Sequence, residues 1–174
     1  MSNKNNRKGI LLVGGTGSRL NPITKVISKQ LVPIYDKPMI YYPLTTLMLM
    51  GIKEILIITT DRDKSLFHSL FGDGSDYGIS IEYISQASPD GIGQAFILGE
   101  EFIGSSDVSL ILGDNIFYGH QFSDILSKQI HELDGATIFT TIVDSPSAFA
   151  VAEIDQDGVV ISLEEKPDAP KSHN

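Results

Sequence analysis

The chain has 174 residues, 41% hydrophobic and 20% charged, with a net charge of −9 at pH 7 and no cysteine. That size and balance suit a globular domain with a buried core, and the acidity excludes a nucleic-acid-binding surface. Disulfides and thiolate metal sites are excluded too. No apolar run approaches the roughly 20 residues that cross a bilayer, and the polar start MSNKNNRK is a poor leader, so a cytoplasmic protein without a membrane partner is expected.

The charge is unevenly spread. Residues 1–37 hold seven basic side chains (Lys4, Arg7, Lys8, Arg19, Lys25, Lys29 and Lys37) against one acid, Asp36. A basic segment within an acidic chain suits a small polyanionic ligand.

GILLV (9–13) reads as a strand buried on both faces, ended by glycine. Residues 14–38 lack periodicity, contain Pro22, Pro33 and Pro38, and read as a long ordered loop of the kind that carries function. MIYYPLTTLMLM (39–50) predicts a buried helix with Pro43 in its first turn. EILIIT (54–59) is a second buried strand, and DRDKSLFHSLFG (61–72) a helix capped by Asp61 or Asp63. ISIEYIS (79–85) alternates as a strand does, and 89–104 carries apolar residues at helical spacing. VSLILG (108–113) predicts a strand and FSDILSKQIHEL (122–133) an amphipathic helix. ATIFTTIV (136–143), FAVAEID (149–155) and VVISLEEKP (159–167) are strand-like, the last two joined by a DQDG turn.

Such alternation argues for an α/β fold, a Rossmann-like, mostly parallel sheet with helices on both faces. Ligands in these sheets bind beyond the carboxyl ends of the strands. GGTGSRL (14–20), QASPDG (86–91) and GDN (113–115) all fall there. GGTGSRL is not a Walker A loop, which would read GxxxxGK followed by Ser or Thr. Nor is it a dinucleotide fingerprint, because Leu20 stands where the third glycine belongs and Pro22 interrupts the helix that should follow.

The longer string GGTGSRLNPITKVISKQLVPIYDKPMIYYP (14–43) resembles the signature of the sugar-nucleotide pyrophosphorylases, or sugar-1-phosphate nucleotidylyltransferases. SKQL, YDKPMIYYP and FGDGS are similar to one branch, the glucose-1-phosphate thymidylyltransferases. SPDGIGQAF (88–96), LGDNIFYGH (112–120) and ISLEEKP (161–167) continue the likeness, which runs from about Lys8 to Lys171. The resemblance implies a nucleotidyltransferase fold and Mg²⁺-dependent transfer from dTTP to glucose-1-phosphate. The products would be pyrophosphate and dTDP-glucose, the latter serving cell-surface polysaccharide synthesis. It also implies a homo-oligomer for full-length members. Residues 1–174 are then expected to be the nucleotide-binding core, truncated after the EEKP motif.

The matching positions imply specific roles. Gly14, Gly15, Gly17 and Ser18 would cradle the triphosphate with backbone N–H groups, and Arg19 would grip the leaving pyrophosphate. Lys29 matches the catalytic lysine, with Gln30 beside it in the nucleotide site, and Asp114 matches the Mg²⁺ carboxylate. Gln86, Pro89 and Gly91 match the positions around the pyrimidine base, while Ala150, Glu165 and Lys166 match the sugar-phosphate end. Phe149-Ala150 departs from the usual Tyr-Gly at that end, adding a methyl and losing a hydroxyl. A different class of protein, a catalytically weak nucleotide-binding module or regulatory subunit of the same fold, is the alternative expectation.

Overall fold

The computed structural model of the chain describes residues 7–15, 17–88, 90–131 and 135–174. They fall into two compact units, Met1–Ile130 and His131–Asn174.

The first unit starts with β1 (Arg7–Leu12). The predicted loop 14–38 follows, as three single 3₁₀ turns and a minimal hairpin, β2 (Pro33–Ile34) against β3 (Lys37–Pro38). Then come α1 (Tyr41–Leu49), β4 (Glu54–Thr59), α2 (Asp61–Phe71) and β5 (Ser80–Ser85). α3 (Gln94–Leu98), α4 (Glu100–Ile103), β6 (Asp107–Leu112) and α5 (Phe122–His131) complete the unit.

The four longer strands form one parallel sheet in the order β5-β4-β1-β6. The aliphatic runs ILL of β1 and ILII of β4 arise because both faces of these inner strands are covered, whereas the edge strand β5 alternates. Leu11, Ile55, Ile57 and Ile111 turn to a core closed by Leu44 and Leu47 of α1 and Phe67 and Phe71 of α2. Ile10, Leu56 and Ile58 turn the other way, against Ala95 of α3 and Phe102 of α4. Each fully buried Ile or Leu contributes roughly 2 kcal/mol from lost apolar exposure. The doubly covered parallel sheet agrees with the architecture expected from the sequence. Among the described residues, no helix is long and apolar enough to cross a membrane.

Two expectations change in this unit. The cap of α2 is Thr60, whose hydroxyl accepts from the Asp63 N–H, rather than Asp61 or Asp63. The helical stretch over 89–104 resolves into α3 and α4, offset at Gly99. A Cβ at Gly99 would stand 3.2 Å from Leu56 Cδ2 and 3.3 Å from Ile10 Cδ1, so the helix backbone lies directly on the sheet there.

The second unit is built on an antiparallel hairpin, β7 (Ala150–Ile154) with β8 (Val160–Glu165), turned through Asp155 as expected. The strand expected over 136–143 does not form. A strand needs an edge to pair with, and no sheet includes this stretch, whose Val143 N–H donates instead to the His173 carbonyl, 3.0 Å away.

Candidate functional site

In the sheet order β5-β4-β1-β6 the chain builds outward from β1 in one direction and then crosses to place β6 on β1's other side. The reversal creates a switch point between β1 and β6, where loops leave in opposite directions and open a crevice. Leu12 and Leu112 end these neighbouring strands in register, and the Gly113 N–H donates to the Leu12 carbonyl at 2.8 Å. A cleft of about 220 Å³ opens there, lined by Gly14, Gly15, Gln30, Gln86, Gly91 and Asp114 among others. Six residues singled out in the sequence thus meet at one place.

Asp114 and Lys29, 85 positions apart, form an ion pair at this crevice, Nζ to Oδ2 2.9 Å. Each side chain remains about one-third exposed (33% and 34%), so both charges are open to a ligand. Lys29 begins a 3₁₀ turn, Lys29–Leu31, and its Cβ lies against Gly17. Gly17 has φ 58°, in the left-handed region where other side chains are strained, and a Cβ there would also stand 2.8 Å from Thr24 Cγ2. The Thr24 hydroxyl donates to the Gly17 carbonyl at 2.7 Å, so the glycine loop is held from beneath.

Gln30 is buried; its Oε1 accepts from the Ser28 hydroxyl at 2.6 Å. Close approach explains two glycines. A Cβ on Gly113 would fall 2.3 Å from Val13 Cγ1 and 3.0 Å from Gln30 Cγ, and one on Gly14 would fall 2.6 Å from Gln86 Oε1. Gln86 is itself buried, with its backbone N–H donating to the Thr59 carbonyl at 2.6 Å.

A larger cleft of about 590 Å³ lies on the β4 side, sharing Gly15 and Gln86 with the first. Ser18 belongs to it, as do Asn21, Thr60 and Arg62, which the sequence reading did not single out. The signal for Thr60 and Arg62 was present, since they directly follow the strand EILIIT at its carboxyl end. Arg62 donates through Nε and Nη2 to the two oxygens of buried Asp63, at 2.8 and 3.0 Å. Those hydrogen bonds push the guanidinium pKa further up.

Not every expected residue joins the clefts. Arg19 lies exposed in the turn Ser18–Leu20 and lines neither. Pro89 lies outside the described residues. Two members of the basic N-terminal segment work elsewhere, at the amino end of the sheet. Arg7 pairs with Asp107 at 3.9 Å, and Lys8 with Glu54 at 3.3 Å.

In the second unit, Ala150 stands opposite Glu165 in the hairpin register, and the Lys166 N–H donates to the Phe149 carbonyl at 2.9 Å. The three residues expected at the sugar end therefore share one end of one hairpin. Lys166 has φ 45°, unfavourable for a side chain with a Cβ, and its Nζ lies 3.6 Å from Glu165 Oε1. Among the described residues no three His, Cys, Asp or Glu side chains converge as a metal cage.

A family model described as nucleotidyl transferase matches residues 8–174. The chain is 56% identical over 165 residues to a Neisseria meningitidis protein named glucose-1-phosphate thymidylyltransferase, a match spanning 95% of this chain and 57% of the relative. Proteins of the same name from Xanthomonas campestris pv. campestris and Mycobacterium tuberculosis are each 53% identical, over 96% and 95% of this chain and 57% of their own length. The chain thus spans little more than half the length of these curated relatives. A solved Bacillus anthracis structure, described as a glucose-1-phosphate thymidylyltransferase in complex with a sucrose, superposes with a TM-score of 0.88 at 41% identity. That match covers 96% of this chain and 67% of the other. A UDP-glucose pyrophosphorylase complexed with UDP-glucose shares the fold at 23% identity and a TM-score of 0.73, covering 95% of this chain and 72% of that one.

Proposed function

The chain belongs to the nucleotidyl transferase family, and from that membership and its crevice we propose that it carries the nucleotide site of a glucose-1-phosphate thymidylyltransferase. In the proposed reaction, an oxygen of the sugar phosphate attacks the α-phosphorus of dTTP. A new P–O bond forms, the bond from the α-phosphorus to the α,β-bridging oxygen breaks, and pyrophosphate leaves with that electron pair. The product is dTDP-glucose, a nucleotide sugar for polysaccharide synthesis in the cytoplasm.

The observation that carries this reading is the Lys29–Asp114 pair at the switch point, joined at 2.9 Å across 85 residues. Phosphoryl chemistry asks a protein mostly for positioning and charge neutralisation. Lys29 would leave its carboxylate partner to meet the negative charge that grows on the phosphates. Gly14, Gly15 and Gly17 with Ser18 would let the backbone approach the triphosphate, and the Arg19 fork, free in solvent, would swing onto the departing pyrophosphate. Gln86 and Gly91 border the same cleft and would hold the base, and Gln30 would shape its floor. Ala150, Glu165 and Lys166 would receive the sugar phosphate; the unfavourable backbone held at Lys166 supports a working role for that side chain.

Mg²⁺ fits this donor set as a shared ion rather than a caged one. A single partly exposed carboxylate, Asp114, would hold the ion, with substrate phosphates and water as its other ligands. Bound there, the ion would neutralise phosphate charge and orient the chain of phosphates.

Formation of dTDP-glucose from dTTP, glucose-1-phosphate and Mg²⁺, followed by chromatography, tests the reading. Product is expected from the unaltered chain, and Asp114→Asn should raise the Mg²⁺ requirement or abolish turnover. Binding of dTTP without product would instead support the nucleotide-binding module. No binding of dTTP at all would remove both readings.

A further inference from the structure

Gln86 presents an amide to the nucleotide cleft, and an amide can face a base in either of two ways. With its carbonyl forward it matches a base whose ring N3 carries a proton, as in thymine and uracil. Turned over, it matches cytosine, whose N3 is a bare acceptor and whose exocyclic amine donates. An isolated glutamine would serve both.

Gln86 is not isolated. Its Nε2 donates to Gln94 Oε1. That oxygen also accepts from the Asp90 backbone N–H at 3.2 Å, and Gln94 Nε2 donates to Asp90 Oδ2 at 3.0 Å. The Ser88 hydroxyl donates to the same carboxylate oxygen. The polarity of this chain follows from its two ends, independently of how any amide is drawn. A carboxylate only accepts and a backbone N–H only donates, so Gln94 must turn its NH₂ to the Asp90 side chain and its carbonyl to the Asp90 N–H. The group of Gln86 that meets that carbonyl must then be a donor. Its own carbonyl is left over Gly14, against the cleft, where it accepts no hydrogen bond from the described residues.

We infer that Gln94, anchored by Asp90, is a positioning residue that locks the Gln86 amide carbonyl-forward and so makes the site accept pyrimidines bearing an N3 proton and reject cytosine. Turning the Gln86 amide over would bring two carbonyl oxygens face to face and break a hydrogen bond, and rejection of cytosine arises from that cost. The relay does not separate thymine from uracil, which share the same edge. The inference rests on the proposal that Gln86 contacts the base.

Dissociation constants of dTTP, dUTP and dCTP for the whole chain, measured by calorimetry, test it. The unaltered chain should prefer dTTP and dUTP over dCTP. Gln94→Leu, of similar size, should shrink that preference about tenfold, the worth of roughly one hydrogen bond, with dTTP and dUTP moving together. Asp90→Asn, at an exposed position where loss of folding is not at stake, should shrink it in the same direction because an amide can anchor either polarity. Equal weakening of all three ligands, or an unchanged preference in both variants, overturns the relay while leaving the nucleotide site standing. An unaltered chain that binds none of the three removes the nucleotide site itself, and the relay with it.

Discussion

Gly14 and Gln86 show how little room the switch-point cleft leaves at the level of single side chains. A methyl on Gly14 would sit 2.6 Å from Gln86 Oε1 and displace that side chain. Gly14→Ala should therefore weaken dTTP binding about tenfold, the loss of roughly one hydrogen-bonded contact, while barely moving the melting temperature. The Lys29–Asp114 pair poses the complementary case. Both side chains are one-third exposed, and an ion pair so placed contributes less than about 1 kcal/mol to stability. Lys29→Ala should leave urea denaturation nearly unchanged and act on turnover. Tyr83 predicts a pH effect. Burial, with the nearby Asp73 charge adding to it, pushes its phenol from 10.0 up to about 12. The folded state therefore keeps a proton that the unfolded chain loses near 10, so stability is intact below pH 10 and falls as the pH rises toward 12. Tyr83→Phe should flatten that fall in thermal melts across the same range. At this scale the motifs of Lys29 and Asp114 are distinctive enough to single both out in the sequence, and the two side chains meet at the crevice. Gln94 was not, since a glutamine within an apolar helical pattern gives no sign that its carbonyl faces another glutamine eight residues back.

Among the elements, those buried on both faces were the easiest to read. EILIIT and the end of β6 carry aliphatic runs of the kind that a strand covered on both faces requires, and β4 spans 54–59 as its pattern predicts. The cap of α2 was missed because two aspartates, Asp61 and Asp63, drew the assignment past the preceding Thr60. Thr60→Ala should cost about 1 kcal/mol in chemical denaturation, the usual worth of a hydroxyl cap. ATIFTTIV has strand composition and yet forms no strand, since propensity describes a side chain's fit to a sheet and cannot supply the neighbouring edge. The break at Gly99 was equally hidden, because its cause is contact with Ile10 and Leu56 on distant strands.

Across the whole molecule, the first unit holds both hydrophobic clusters, whereas Val151 and Ala152 are the buried apolar residues of the β7–β8 hairpin. Residues 1–130 expressed alone should thus fold and bind dTTP within about threefold of the full chain, as expected of a unit with its own core. The charge pattern was legible only in part. The basic N-terminal segment suggested an anion site, but Arg7 and Lys8 brace the amino end of the sheet, and among the described residues of that segment Lys29 is the one tied to an acid at the crevice. The parallel order and its switch point bring residues from three separate loops to one cleft, which we propose performs nucleotidyl transfer through Lys29. Pyrophosphate release from dTTP with glucose-1-phosphate and Mg²⁺ tests it most directly, compared between the unaltered chain and Lys29→Ala. Steady release is expected from the unaltered chain, falling by roughly a hundredfold or more in the variant, as when a charge-stabilising donor is removed. Release at the same rate from both proteins would contradict it.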